Sequence, residues 1–322
     1  MRRIWVLFLP LFFPSCAHSP PNAQVVSQKY IHKYGFEMDQ EEWLARDQEG
    51  TVEQYLDNGV KVVKNYQNGS LHGETAHTYP YSSTIEKTAL YEKGDLVKET
   101  VHDRKGIPIR EKTYSGEGIT SICYWSQWGS PLRIERYEKG ALLEGKYYNA
   151  QNELESSVKQ GEGMRCKRAR DGLLLVVDKI TKGLLVERTS YHPNGQIHMI
   201  SDFSDYLLHG TQKIYTPKGC LYMVNNWEEG KLQGEKSSYR EGQLLVSTNY
   251  EQGKKQGLER RYDQMGELLS QVEYQENERH GLSQYYGART GVKQEWFYRG
   301  KATNMERFQM LTSQEEAATQ EE

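Results

Sequence analysis

Three histidines are the side chains whose type and spacing most suggest chemistry, and that chemistry would be metal binding. His72, His209 and His280 each stand directly before a glycine, and a neutral imidazole is a common zinc ligand. Gln233 and Gln256 take the same position elsewhere, which indicates a polar turn position rather than a ligand set. If the position recurs once per two-strand unit, neighbouring copies stand roughly 10 Å apart, too far to share one ion. The sequence therefore predicts no metal site.

No other group of residues predicts catalysis or cofactor binding. Charged residues such as Glu228, Glu229 and Lys231 are typical of solvent-facing turns, and no two carboxylates are concentrated in a predicted cleft. The chain lacks the GxGxxG loop and the HRD and DFG triplets of a protein kinase. We expect a protein that is not an enzyme, with no cofactor and no small-molecule substrate. A hydrolase whose site residues are scattered through the sequence is the alternative.

The cysteines that follow the N-terminal segment do not predict a metal or disulfide framework. Cys123, Cys166 and Cys220 are odd in number, irregularly spaced and without a CxxC pair. At most one bridge could form among them. We expect all three to be small, half-buried strand residues.

Composition favours a folded β protein without a large apolar core. Of 322 residues, 36% are hydrophobic and 26% charged, and the mean hydropathy is -0.83. The 23 tyrosines, 29 glycines and only 9 prolines suit strands and turns better than disorder. A formal net charge of -3 and a pI near 6.3 provide no global positive field, so no nucleic-acid partner is expected.

A repeat with a period of 23 to 24 residues is the main signal in the sequence. One glycine, one tyrosine and one further aromatic residue recur together, and each series steps by 24, 23 and 24 residues. The series are Gly210, Gly234, Gly257 and Gly281; Tyr215, Tyr239, Tyr262 and Tyr286; and Phe203, Trp227, Tyr250 and Tyr274. Weaker copies begin at Tyr66, Tyr91 and Tyr137, and the stretch 153–182 holds the most divergent ones.

Each repeat unit is predicted to be two strands and two turns. Hydrophobic residues alternate with a period of two, and the segments 263–266, 240–242 and 217–219 carry a glycine suited to a tight turn. Since one hairpin is marginal in water, neighbouring units must pair to bury their Tyr, Leu and Val side chains. The fold class is therefore predicted as all-β, with tandem antiparallel hairpins forming an extended meander or solenoid-like sheet. The aligned aromatics could stack on sugars or lie at a lipid headgroup layer, but cross-strand packing is the favoured interpretation.

These units resemble MORN-type repeats (membrane occupation and recognition nexus), in the bacterial variant associated with antitoxin-like proteins. The resemblance rests on Tyr66, Gly69 and Gly73 and on Tyr250, Gly253 and Gly257, with a partial copy at Gly230 and Gly234. It covers most of the chain after the N-terminal segment, although the copy at Tyr91 has only one of the two glycines. The resemblance implies an extended sheet of hairpins without a catalytic centre, serving membrane association or protein contact.

The N-terminus resembles a bacterial lipoprotein signal. Arg2 and Arg3 precede an apolar run, Ile4 to Phe13, which is too short to span a bilayer and is interrupted by Pro10. Cys16 follows directly and is the expected lipid attachment site. Phe13 departs from the leucine usual three residues before such a cysteine. Ordinary signal cleavage without a lipid is the alternative.

We thus expect a signal peptide at 1–15, a lipid tether and short cap helix at 16–50, hairpin repeats at 51–300, and a cap helix with an acidic tail at 301–322. Asp39 is the predicted N-cap of the first helix, and the second is predicted over 302–314. The predicted function is a membrane-anchored scaffold in a bacterial envelope, facing the periplasm or in the outer membrane, that binds an unidentified protein. A module that binds envelope glycans is the alternative.

Overall fold

Antiparallel hairpins make up most of the described chain, which confirms the predicted all-β fold class. The computed structural model describes residues 23–116, 118–287 and 291–320. The chain divides into two compact units, Met1–Ser115 and Gly116–Glu322, so a unit boundary falls inside the predicted repeat region. Within these described residues no helix is long and apolar enough to cross a membrane.

The first unit is an antiparallel meander in which each long strand pairs with the next long strand of the chain, across the two-residue strands between them. Its elements are β1 (Val25–His32), β2 (Glu37–Met38), α1 (Gln40–Ala45), β3 (Gly50–Leu56), β4 (Lys61–Gln67), β5 (Ser70–Leu71), β6 (Gly73–Thr78), β7 (Ile85–Glu92), β8 (Asp95–His102) and β9 (Pro108–Ser115). The sheet therefore begins before residue 51. The sequence analysis placed only a tether and a helix at 16–50, and it missed β1, which pairs with β3 along its length.

The second unit continues the same scheme. Its strands are β10 (Ile119–Trp125), β11 (Pro131–Glu138), β12 (Ala141–Tyr148), β13 (Leu154–Lys159), β14 (Glu162–Arg168), β15 (Leu174–Thr181), β16 (Leu184–Tyr191), β17 (Ile197–Ser204), β18 (Leu207–Tyr215), β19 (Leu221–Glu228), β20 (Lys231–Leu232), β21 (Gly234–Arg240), β22 (Gln243–Glu251), β23 (Lys254–Tyr262), β24 (Leu268–Gln275), β25 (Glu278–Gly287), β26 (Gly291–Tyr298) and β27 (Lys301–Thr303). Helix α2 (Met305–Gln320) follows the last strand.

The two helices lie close to where they were predicted. Asp39 caps α1, since its Oδ1 accepts a hydrogen bond from the Glu42 backbone N at 2.8 Å. Trp43 of α1 is buried between Tyr30 and Tyr66, at ring separations of 5.5 and 6.0 Å. Helix α2 starts and ends later than predicted, because residues 301–303 form a strand and the helix runs on through Glu315.

Two kinds of turn connect the strands. Most turns at one end of the strands contain two residues that both have positive φ, as at Gln252 and Gly253 (φ 49° and 84°). Most turns at the opposite end contain four residues closed by a side chain. In one of these the Asp263 Oδ1 accepts hydrogen bonds from the backbone N of Met265 and Glu267, at 2.8 and 2.9 Å. The glycine turns predicted at 217–219, 240–242 and 263–266 are confirmed.

Successive two-residue turns are joined by backbone hydrogen bonds. The Gly230 N donates to the Leu208 O, the Gly253 N to the Leu232 O, and the Gly300 N to the Arg279 O, at 2.8 to 2.9 Å. In each bond, a glycine of one turn donates to a residue in the strand that begins just after the preceding two-residue turn. Coupling between neighbouring hairpins therefore includes a regular polar contribution as well as side-chain packing.

Candidate functional site

The largest group of buried charges in the second unit is centred on Asp178. The strand register places Arg165 of β14, Asp178 of β15 and Arg188 of β16 directly opposite one another, so the three side chains share one sheet face. Asp178 is fully buried, whereas the Arg165 and Arg188 side chains are 13% and 31% exposed. The Asp178 carboxylate therefore lies on one face of the sheet and is covered by the side chains of Arg165 and Arg188.

Asp178 binds three cations. Its Oδ2 accepts from the Arg165 Nε and Nη2 at 2.9 and 2.7 Å, and its Oδ1 accepts from the Arg188 Nε at 2.7 Å. The Lys167 Nζ lies 3.4 Å from Oδ2. Burial alone would raise the pKa of Asp178, but the hydrogen bond from Arg188 and the charges of Lys167 and Arg165 outweigh it and hold the pKa below its usual value. This carboxylate is ionised and fully engaged, so it is not available as a general base.

A second buried carboxylate, Glu135 of β11, accepts hydrogen bonds from two tyrosines. The hydroxyls of Tyr137 and Tyr147 donate to its two oxygens at 2.9 and 3.3 Å. Burial raises the pKa of both tyrosines, and the adjacent Glu135 charge raises it further. The Arg133 Nε lies 3.7 Å from Glu135. Both phenols are therefore neutral donors over the whole physiological range.

A local curl of the sheet brings the strands of these two carboxylates together. The backbone N of Leu142, at the start of β12, donates to the O of Gly183 in the turn between β15 and β16 at 3.3 Å. Leu142, Tyr147, Val158 and Ile180 form the buried core of this region together with Cys166. We name the charged group formed by Arg133, Glu135, Arg165, Lys167, Asp178 and Arg188 the cation cluster.

The surroundings of Lys167 disfavour its positive charge. Burial and the adjacent Arg165 lower its pKa to about 8, and Arg188 and Arg133 act in the same direction although Asp178 opposes them. Arg133 belongs to β11 and Lys167 to β14, so their electrostatic interaction reflects the curl rather than direct strand pairing.

The face that carries Asp178 continues as a row of buried polar residues. Arg188 is opposite Ser201, which is opposite Gln212, which is opposite Asn225. Gln212 Nε2 donates to Ser201 Oγ at 3.0 Å, and Asn225 Nδ2 donates to Gln212 Oε1 at 2.8 Å. Polar side chains that bond to one another here replace an apolar core, in line with the low hydrophobic content of the chain.

Two of the three histidines, His72 and His280, accept a hydrogen bond from a neighbouring turn. His72 lies between β5 and β6, His209 in β18 and His280 in β25, and the glycine after each has a positive φ. The glycines that follow these histidines therefore lie at the start of strands or inside them. The prediction that each histidine occupies a turn was wrong. Histidine and glutamine side chains at this position accept the same kind of hydrogen bond. The backbone N of Lys93 donates to His72 Nδ1 at 3.3 Å, and that of Arg299 donates to His280 Nδ1 at 3.5 Å. The backbone N of Gln252 donates to Gln233 Oε1 at 2.9 Å, and that of Glu276 donates to Gln256 Oε1 at 3.1 Å.

Histidine and glutamine share this position because either one can accept a hydrogen bond from the next two-residue turn. Across the described residues, no group of three or more His, Cys, Asp or Glu side chains could hold a metal ion.

The repeat aromatics pack across glycines. Trp227 is opposite Gly210, Tyr250 is opposite Gly234, and Tyr274 is opposite Gly257. These rings are partly buried in the sheet surface, as cross-strand packing requires.

The predicted lipid attachment site, Cys16, lies outside the described residues, as does the predicted signal peptide. Cys123 is half-buried in β10 and Cys166 is buried in β14, close to the expectation for strand residues. Cys220 is exposed in a turn, where the prediction of a half-buried strand position was wrong. No disulfide joins these three cysteines.

Sequence reasoning missed the cation cluster. Several of its members fall in the divergent stretch 153–182, where the repeat landmarks are weakest. The available signal was an aspartate in the middle of an apolar strand, since Leu174 to Val177 precede Asp178 and Ile180 follows two residues later. A charge at such a position requires a partner of opposite sign.

Comparisons with known proteins add no family. No protein-family model matches the chain, and no curated protein matches it. One similar solved structure is the crystal structure of TcdB2-TccC3-Cdc42, with 11% identity over 76% of this chain and a TM-score of 0.14; the match spans 19% of that chain. Another is BamB from Moraxella catarrhalis, with 10% identity, a TM-score of 0.14, and coverage of 78% of this chain and 83% of that chain. Scores this low support no conclusion about fold or function.

Proposed function

We propose that this chain is a non-enzymatic scaffold of MORN-type hairpin repeats, tethered to a bacterial envelope membrane through Cys16, that binds a protein partner along a strand edge. Three features support the proposal. The chain is built from tandem hairpins, its buried carboxylates are engaged by cations or tyrosines, and the N-terminal segment has the layout of a lipoprotein signal.

The edge of β26 is the observation that carries the binding part of the proposal. Strand β26 pairs with β25 over its whole length, but β27 pairs only with Trp296, Phe297 and Tyr298. Among the described residues no strand pairs with the outer edge of 291–295. Val292 on this segment is 51% exposed, and an exposed edge with an apolar side chain is a template for strand addition. We expect the partner to supply an extended segment with an apolar side chain.

Metabolic labelling tests the anchor. Cells expressing the full chain are fed an alkyne fatty acid, and the chain is purified and fractionated. We expect the wild type and the matched control Cys220→Ser to carry the label and to sediment with membranes, whereas Cys16→Ser carries no label and is released. A wild-type chain without label would remove the anchor.

A pair of substitutions tests the edge. Val292→Lys places a charge on the proposed docking strand, whereas Leu269→Lys places the same charge at a 45% exposed position on the interior strand β24. A partner cross-linked to the wild-type chain in cells should be retained by Leu269→Lys and lost by Val292→Lys. Equal retention by both variants would show that the edge is not the contact surface.

A further inference from the structure

The cation cluster contains more positive than negative charge. Its members are four cations, Arg133, Arg165, Lys167 and Arg188, and two carboxylates, Glu135 and Asp178. Each cation lies within 4 Å of a carboxylate oxygen, but four cations share two carboxylates, so the cluster carries an excess of two positive charges. An excess of partly buried positive charge is costly, because burial removes the water that would otherwise solvate it. The imbalance is a reason to look for an anionic ligand.

Arg133 gives an independent indication of a missing partner. Its guanidinium donates no hydrogen bond within the described chain, its Nε is buried, and its nearest carboxylate contact is the 3.7 Å approach to Glu135. The guanidinium stacks 3.6 Å above the Tyr124 ring, which fixes its plane and leaves its edge available for hydrogen bonding. An arginine held in place but without an acceptor is arranged for a ligand.

Two cations of the cluster are partly exposed to solvent, whereas the carboxylate they bind is not. Asp178 is fully buried, whereas the Lys167 and Arg188 side chains are 28% and 31% exposed. Arg165 and Arg188 use Nε and Nη2 to bind Asp178, and in the described chain the Nη1 of each takes part in no hydrogen bond. Free N–H donors and one ammonium therefore lie above a common anion.

We propose that the cation cluster is a binding site for a phosphate-type oxyanion, a tetrahedral group with about two negative charges such as a phosphate monoester. The excess of two positive charges matches a dianion, and guanidinium forks bind phosphate oxygens in pairs while a lysine supplies a point charge. The cation cluster shares no residue with the β26 edge. The phosphate-binding proposal therefore goes beyond the scaffold function and can be tested independently of it.

Titration of the full-length chain with inorganic phosphate tests the site, with sodium chloride added to keep the ionic strength constant. Binding is followed by calorimetry and by the shift in melting temperature at pH 7. We expect saturable binding by the wild type and at least tenfold weaker binding by Lys167→Met and by Arg133→Met. Both substitutions leave the Arg165 and Arg188 contacts to Asp178 in place, so the fold is retained, and circular dichroism verifies this.

Lys179→Met is the matched control, because Lys179 is the exposed neighbour of Asp178 in β15 and projects from the opposite face. The control should bind phosphate like the wild type. Absence of saturable binding to the wild type, or an equal effect of phosphate on wild type, control and both cluster variants, would overturn the proposal. If a Met variant is unfolded, Arg188→Lys, which keeps the charge but loses the planar fork, replaces it and should also weaken binding.

Two further arms distinguish the source of the oxyanion. Phenyl phosphate represents a soluble ester, and vesicles of phosphatidylcholine with phosphatidic acid represent a lipid headgroup. Sedimentation of wild type and Lys179→Met with these vesicles, but not of Lys167→Met, assigns the site to a headgroup. Binding of phenyl phosphate without sedimentation assigns it to a soluble ester. Either result supports a phosphate ester as the ligand, and failure of both probes while inorganic phosphate still binds assigns the site to the free anion.

Discussion

Tyr250 of β22 lies directly opposite Gly234 of β21, and the same relationship joins Tyr274 to Gly257 and Trp227 to Gly210. The glycine has φ of +83° at position 234, a backbone conformation that L side chains rarely adopt. Two of the three repeat landmarks thus form one cross-strand pair. The glycine allows the left-handed backbone conformation, and the residue opposite it is a partly buried aromatic side chain.

Gly234→Ala should lower the free energy of unfolding by about 1 to 2 kcal/mol, the usual cost of a left-handed conformation for a residue with a Cβ. A Cβ at this position would meet only the Asn226 Cβ at 3.9 Å, so the cost is backbone strain rather than a clash. Urea denaturation followed by far-UV circular dichroism measures the change. Gly116→Ala is the control, because Gly116 has no atom within 4 Å of an added Cβ and its φ lies outside the strained region. Equal loss in both variants would contradict the strain argument.

Asp178→Asn should be severely destabilising. The substitution removes the carboxylate that holds Arg165, Lys167 and Arg188 together and leaves their charges without their anion. Breaking a buried ion pair in this way typically costs about 3 to 5 kcal/mol. The free energy of unfolding in urea is the measurement. The control, Glu228→Gln, changes an exposed charge and should stay within about 0.5 kcal/mol of the wild type.

Lys167→Met should stabilise the chain at neutral pH, and the gain should vanish in alkali. The folded pKa of Lys167 is about 8 against 10.5 for an unperturbed lysine. Between these pH values Lys167 is protonated in the unfolded chain but not in the folded chain. The contribution of Lys167 to the free energy of unfolding of the wild type therefore increases as the pH rises through this range. Below pH 8 the buried charge penalises the folded state, by about 1 to 3 kcal/mol for a partly exposed group.

The readout for Lys167 is the difference between wild-type and variant stability from pH 6 to 10.5, which cancels the titration of the tyrosines common to both. The difference should shrink steadily above pH 8. A constant gap between wild type and Lys167→Met would show that the lysine is not destabilised by its surroundings.

Phe308→Ala should detach helix α2 and promote association between chains. The Phe308 ring packs against His280, Trp296 and Tyr298 at centroid distances of 5.1, 5.2 and 6.3 Å. Each aromatic contact contributes about 0.5 to 1.5 kcal/mol. Loss of the helix exposes Trp296 and Tyr298 at the end of β26 next to the short β27 and so lengthens the exposed edge beyond 291–295, and the mass measured by light scattering should rise with protein concentration. Met310→Ala alters an exposed residue of the same helix and should leave the mass unchanged.

The hairpin fold was predictable because its determinants are local. Turn glycines, closing aspartates and alternating hydrophobic residues act within a few positions, and they recur at a fixed interval. Asp263 and Gly266 specify one four-residue turn without help from the rest of the chain. Asp39 likewise specified the start of α1.

The features that were missed depend on register and curvature. The series of landmarks at 23 to 24 residues does not reach β1, although a turn with Gly35 at positive φ follows it, and the pairing with β2 and β3 identifies the strand. The cation cluster needs Arg165, Asp178 and Arg188 to fall opposite one another, and Arg133 and Lys167 to approach through a curl of several strands. Spacing along the chain does not specify either condition.

The pairing of each strand with its sequence neighbours has a consequence for how each unit is made. Most strand-to-strand hydrogen bonds join segments that are close in the chain, so a segment that leaves the ribosome can pair with the segments made just before it and does not wait for a distant part of the sequence. Each new hairpin can be added to the exposed edge strand of the hairpins already formed, and hydrogen bonds between successive turns stabilise the addition. Synthesis order and spatial order are the same, which spares the nascent chain long searches for distant partners.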